Sequence, residues 1–193
     1  MGEAIAPGPI GLTCCLCLCV FWLLHFKRYT PPIFEAAAGM CARAIHRLVF
    51  RSAPKVVALD CDNTLWGGAV AELGPAGVAL SGPFLALQRF FVALHDRGVL
   101  LCLCSRNSQP DDVLRVWRER GDEMVLKLEH VVAHQVSWGA KSKGLGAMAE
   151  SLCLGIDTFA LVDDSPTECA EVSANAPEVA VVQLPRDPAL YVV

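Results

Sequence analysis

The sequence predicts an α/β domain built on a doubly wound parallel sheet, and three observations predict it. From Lys55 onward, short β-branched and apolar runs alternate with stretches of helical spacing. The runs lack the polar alternation of a half-solvated strand, so they read as strands covered on both faces. Polar clusters follow the strands, and the carboxyl ends of strands are where an open parallel sheet gathers its working residues.

Taken in order, Lys55–Asp60 (KVVALD) reads as the first buried strand. A helix is expected over Phe84–Arg97, where Leu87, Phe90, Phe91 and Leu94 recur at helical spacing before Gly98. Val99–Cys104 is the second strand, and Asp111–Arg120 a helix stopped by Gly121. A strand-like stretch at Val131–Ala133, a helix over Lys143–Leu152 and a strand at Thr158–Val162 follow. A helix beginning near Pro166 and a last strand at Val179–Val182 complete the alternation. About 20 residues separate Thr64 from the helix near Phe84, and one helix plus one strand fill Ser105 to Lys141. Neither gap holds a large cap domain. Trp66–Ser81, with Gly67, Gly68, Gly74, Pro75 and Gly77, reads as a small flap or hairpin, and Trp66 as a flap or entrance residue.

Residues 1–54 read differently, as a hydrophobic and basic leader before a domain at 55–193. Hydrophobic residues make up 54% of the 193-residue chain, and the mean hydropathy of +0.44 is high for a purely soluble domain. Ile10–Phe26 is 17 residues without charge, followed at once by Lys27-Arg28. That is the lower end of what a membrane span needs, and the basic flank would hold the C-terminal side in the cytoplasm. Residues 10–26 are therefore a candidate membrane anchor, with the domain cytoplasmic. Thr30-Pro31-Pro32 breaks the chain, and Glu35–Arg51 reads as a connecting or surface helix. Residues 1–55 carry six Lys/Arg against Glu3 and Glu35, leaving ten Lys/Arg against eighteen acids beyond, charges of +4 and −8 within the total of −4. A basic arm on an acidic body suits an anionic membrane surface and argues against nucleic acid. The ten cysteines show no zinc spacing. Cys102 and Cys104 share a strand face and read as small core hydrophobes.

The chemistry lies at the strand ends. Asp60-Cys61-Asp62-Asn63-Thr64 follows the first strand, Ser105-Arg106-Asn107 the second, and Asp163-Asp164-Ser165-Pro166 the fourth, while Lys141 sits near the start of the preceding helix. This set suits phosphoryl transfer. Asp60 can attack phosphorus to form an aspartyl-phosphate. Asp62 can protonate the leaving oxygen and later activate water. Phosphate approaches so many carboxylates only with a divalent cation present, and magnesium prefers oxygen ligands. Asp60, the main-chain carbonyl of Asp62, and Asp164 could ligate it, with Asp163 the neighbouring acid. Ser105 and Lys141 would bind phosphoryl oxygens, with Thr64, Arg106 and Asn107 as flanking candidates. Lys143 competes with Lys141 for its role.

The order Asp60-x-Asp62-x-Thr64, Ser105, Lys141, Asp163-Asp164 resembles the four motifs of the haloacid dehalogenase-like (HAD) superfamily. More narrowly, LDCDNTLWGG (Leu59–Gly68), CSRN (Cys104–Asn107), WGAKS (Trp138–Ser142), VDDSPTE (Val162–Glu168) and LPRDPALY (Leu184–Tyr191) are similar to the FkbH-like subfamily. The resemblance implies a Rossmannoid fold and magnesium held by Asp60, Asp62 and Asp164, with Asp163 auxiliary. It also implies that a glyceryl unit from a phosphorylated three-carbon acid could pass to an acyl carrier protein; Cys61 is a candidate thiol there, and its plainer reading is a core cysteine between two exposed aspartates. Two departures stand out: Ala69–Gly74 replaces the usual acidic loop, and Ser105-Arg106-Asn107 replaces Ser-Lys-Asn. The leading expectation is a magnesium-dependent phosphatase or phosphotransferase, HAD-type, acting on a phosphorylated small molecule or on a carrier-bound or protein substrate. Glyceryl transfer and a catalytically silent module of the same fold are the alternatives, and loss of Asp60 or Asp62 would mark the silent one.

Overall fold

The computed structural model describes residues 54–107 and 109–191. The leader, its apolar run and the 35–51 helix lie outside them. Among the described residues, no helix is long and apolar enough to cross a membrane.

Five strands, β1 (Val56–Leu59), β2 (Leu100–Ser105), β3 (Val131–Val136), β4 (Phe159–Asp163) and β5 (Ala180–Gln183), form one sheet in the order β3-β2-β1-β4-β5. Every pairing is parallel. The helices are α1 (Val70–Gly77), α2 (Gly82–His95), α3 (Pro110–Arg120), α4 (Lys141–Ser151) and α5 (Pro166–Asn175). Alternate strand residues point to opposite faces, so each strand feeds two cores. Val57, Leu59, Leu101 and Leu103 pack with Phe84, Leu87 and Phe91 of α2 and with Val113 and Val116 of α3. Val56, Ala58, Cys102, Cys104 and Leu161 pack on the other side with Leu145 and Met148 of α4 and Val172 of α5. Each fully buried Leu or Phe contributes roughly 1.5–3 kcal/mol. Cys102 and Cys104 are core residues, as their spacing predicts. Gly144 lets α4 close on the sheet, because a Cβ there would stand 2.8 Å from Gln135 Cγ.

The fold class is the predicted one, and most boundaries differ by at most two residues, the usual margin for helix ends and strand ladders. Two elements differ more. β3 runs to Val136 because its ladder with β2 continues through Ser105↔Val136. The 66–81 segment is more than a hairpin. Gly67 and Ala79 exchange backbone hydrogen bonds of 2.9 and 2.8 Å at its base, and α1 fills the loop between them. Val70-Ala71-Glu72-Leu73 is a helix-competent run that its flanking glycines obscure. Gly74, at φ 69°, ends its first turn and Pro75 follows. Arg120 of α3 ties the flap down, donating from Nη1 to the carbonyls of Val78 (2.6 Å) and Pro75 (3.3 Å).

The chain builds outward from β1 to β2 and β3, then crosses back over β1 to lay down β4 and β5. The direction reverses between β1 and β4, which opens a crevice at their carboxyl ends. Asp60 follows β1 there, and Asp163 ends β4.

Candidate active site

Asp60, Lys141 and Asp163 are buried, at 6%, 4% and 0% exposure, and Asp164 is half-buried beside them. Lys141, the first residue of α4, reaches back across the sheet end. Its Nζ donates to Asp60 Oδ1 at 2.6 Å and to Asp163 Oδ2 at 2.5 Å. The start of α4 is anchored in turn by Glu171 of α5, whose carboxylate accepts from Ser142 Oγ at 2.5 Å and Ser142 N at 3.1 Å. The lysine that meets the carboxylates is therefore Lys141, and Lys143 is exposed.

Asp60, Asp163 and Asp164 each offer a carboxylate oxygen, and these oxygens lie within 4.8 Å of one another. Asp163 is the most committed of the three. Its Oδ2 accepts from Lys141, and its Oδ1 accepts from Ser165 N at 2.9 Å. Burial raises Asp60 to a pKa of about 7. Asp163 and Asp164 push in the same direction, and the Lys141 ammonium opposes them. Burial, then the neighbouring Asp163 charge, also raises Asp164. Burial pulls Lys141 the other way, but the Asp60 and Asp163 carboxylates outweigh it and keep the ammonium charged. One ammonium thus serves a crowded set of carboxylates, and the remaining repulsion favours a further cation.

Asp62 stands outside this group. Its Oδ1 accepts from the Trp66 indole at 2.8 Å and from Val70 N at 3.1 Å. Burial raises its pKa, and those two donors pull against the rise. Asn63 bends the chain away at φ 57°. Its Oδ1 accepts from Gly68 N at 2.8 Å, and its carbonyl accepts from the Tyr191 hydroxyl at 3.0 Å. Gly68, at φ 94°, occupies a backbone region a side chain would strain, and a Cβ would sit 2.4 Å from Leu73 Cδ1.

Thr64 and Ser105 are buried at 0% and 3% exposure, and Thr64 Oγ1 has no hydrogen-bond partner among the described residues. An orphaned buried hydroxyl is costly unless a ligand satisfies it. Arg106 and Asn107 have other partners. Arg106 pairs with Glu168 at 2.5 Å and lies over the Trp138 ring at 5.1 Å from its centroid. Asn107 Oδ1 accepts from Gln109 N at 2.9 Å. Cys61 has 0% exposure in the core, and burial followed by the charges of Asp60 and Asp62 holds its thiol well above the ordinary range. It is a core residue. Trp66 is likewise packed, edge-on against Trp117 at 5.2 Å, while the exposed tryptophan among the described residues is Trp138 at 66%.

A cavity of about 440 Å³ adjoins Asp164, lined among others by Asn63, Phe84, Ser165, Arg186 and Tyr191. Sequence reasoning passed over Arg186, Glu171, Gln88 and the Trp66–Asp62 bond. Gln88 signalled its role only as a polar residue on the apolar stripe of α2. Fully buried, it donates to Leu65 O at 2.8 Å and accepts from Val125 N and Leu126 N, fixing the segment below the flap.

No protein-family model and no curated protein matches the chain. Solved structures do. The N-terminal part of the protein BF1531 from Bacteroides fragilis, described as containing a phosphatase domain complexed with Mg, superposes with a TM-score of 0.72 at 29% identity. That match covers 79% of this chain and 42% of the other, so the chain spans less than half of that relative's length. The fold is HAD-like. A HAD-family enzyme from Bacteroides thetaiotaomicron, in complex with magnesium and inorganic phosphate, aligns over 69% of this chain and 96% of its own at 13% identity, with a TM-score of 0.47. The site at the ends of β1 and β4 joins an acidic cluster and one charged lysine.

Proposed function

We propose that this domain is a magnesium-dependent phosphatase that acts through an aspartyl-phosphate on Asp60. The observation that carries the reading is the convergence of Asp60, Asp163 and Asp164 on one point, with Lys141 bridging two of them. The Mg-bound phosphatase domain of the Bacteroides fragilis relative supports it.

The donor set fits magnesium, since every candidate ligand is a hard oxygen. Asp60 and Asp164 would hold it through their carboxylates and Asp62 through its main-chain carbonyl, with Asp163 braced behind them by Lys141 and Ser165. When bound, it supplies positive charge against the phosphoryl oxygens. The chain's own residues do the rest. Asp60 attacks phosphorus as the carboxylate, held in place by the Lys141 ammonium. Asp62 gives a proton to the leaving oxygen and then takes one from the water that hydrolyses the intermediate. Lys141 offsets charge on the transferring group, and Ser105 and Thr64 offer hydroxyls to its oxygens.

Among the described residues the stretch between β1 and α2 holds the small α1 flap and no large cap domain, so the reading extends to phosphate groups on proteins or carriers as well as on small metabolites. Burial of Cys61 gives no support to an acyl-carrying thiol in glyceryl transfer. In this reading the apolar run 10–26 tethers the domain to a membrane, supported by its lack of charge and its Lys27-Arg28 flank.

The test is release of inorganic phosphate from a generic phosphomonoester, with magnesium and after chelation. Removing the metal is expected to lower turnover at least about 100-fold, and magnesium is expected to restore it. Turnover indifferent to chelation would remove the metal from the mechanism. Folded protein with no turnover in magnesium would point to carrier-dependent transfer or to a silent module.

A further inference from the structure

We propose that Trp66 is a positioning residue that holds the Asp62 carboxyl by its Oδ1 and leaves Oδ2 as the oxygen that serves the leaving group. The inference deepens the phosphatase reading and rests on it.

The geometry is specific. Both N–H donors that reach Asp62, the Trp66 indole at 2.8 Å and Val70 N at 3.1 Å, converge on the same oxygen, Oδ1. An oxygen that accepts two N–H bonds has no room to act as an O–H donor as well, so Oδ2 is the oxygen left to exchange a proton with a reacting group. The indole does not depend on Asp62 for its place. Trp66 is fully buried, its ring meets Trp117 edge-on at 72°, and its neighbours are held on both sides. The Leu65 carbonyl accepts from Gln88 at 2.8 Å, and Gly67 is bridged to Ala79. A donor fixed by the core and aimed at a half-buried acid is pre-organisation, and misplacing such a group costs rate without costing the fold.

In the first step, the Asp60 oxygen–phosphorus bond forms and the phosphorus–oxygen bond to the leaving group breaks. The Asp62 Oδ2 proton passes to the departing oxygen. In the second step, water attacks phosphorus, the Asp60–phosphorus bond breaks and a water proton returns to Asp62. An alkoxide departs poorly without that proton, whereas a dinitrophenolate departs without help. A residue that aims the proton therefore matters for the first kind of ester and little for the second. A residue that merely packs treats both alike.

The experiment compares Trp66→Phe with wild type in magnesium. It measures kcat/KM, which reports the steps through leaving-group departure, for an alkyl phosphomonoester and for 2,4-dinitrophenyl phosphate. The expected result is a loss of about tenfold or more on the alkyl ester and a change within about twofold on the aryl ester. Val70→Pro provides a second route, should the phenylalanine variant not fold. It deletes the other N–H at the first position of α1, where proline is well tolerated, and Ala69 before it already has the extended backbone proline demands (φ −88°, ψ 121°). The same leaving-group-selective loss is expected, smaller in size. Equal losses on both esters, or none on either, would overturn the positioning role and leave the phosphatase reading intact. A wild-type protein that hydrolyses neither ester would overturn that reading and this inference with it.

Discussion

Asp60→Asn abolishes phosphate release, a fall of at least about 10³-fold, while the protein stays folded. The amide cannot attack phosphorus, and no neighbour replaces it, because Asp163 is held by Lys141 and the Ser165 amide. The fold tolerates the change. Lys141 keeps its second partner at Asp163, and asparagine fills the same volume without an ionised oxygen in a place where burial already drives the carboxyl up to about 7. Phosphate-release kinetics with circular dichroism check both halves. Residual activity within tenfold of wild type would show that another group is the nucleophile.

Lys141→Met loses activity and stability together. The substitution keeps the length of the side chain but strands the Asp60 and Asp163 carboxylates, both buried and both within 2.6 Å of the ammonium in the native site. Breaking a buried pair by removing one partner costs about 3–5 kcal/mol. The pH dependence follows from the carboxylates. Asp60 already titrates above its ordinary value in the folded chain, and losing the ammonium raises it further. A carboxyl with a raised folded pKa loses stability as pH climbs from its unfolded value through its folded one, and regains it as pH falls. The deficit of Lys141→Met is thus largest above about pH 7 and shrinks in mild acid. Magnesium stabilises the variant more than the wild type, because the cation meets carboxylates that nothing else offsets. Urea titrations at two pH values, with and without magnesium, measure this. A variant as stable as wild type at pH 8 without magnesium would mean that the ammonium is not neutralising buried charge.

Much of this site is legible in the sequence, because its residues sit at strand ends and the strands are strongly patterned. KVVALD and TFALV can only be buried strands, and the acids that follow them meet wherever two parallel strands adjoin. Lys141 was legible for the same reason, but the choice over Lys143 was not. Two residues along a helix swing a side chain to the far side, so a start placed at Lys143 instead of Lys141 conceals which lysine points inward. Arg106 shows the opposite limit. Its charge looks suited to phosphate, yet Glu168 and Trp138 engage it, and both come from distant segments. The helix inside the flap was obscured because glycine and proline signal a loop, while Val70–Leu73 uses the short space between them for one helical turn. The Trp66–Asp62 bond is local, four residues apart, and only the backbone turn at Asn63 reveals it.

The central claim is a covalent phosphoryl group on Asp60. The direct measurement is rapid acid quench of Asp62→Asn turning over an activated aryl phosphate in magnesium, followed by peptide mass spectrometry. Without the Asp62 carboxylate to activate water, the intermediate accumulates, and the peptide holding Asp60 gains the mass of one phosphoryl group. A variant that still releases the aryl alcohol but carries no phosphoryl group on that peptide at any quench time would contradict the account.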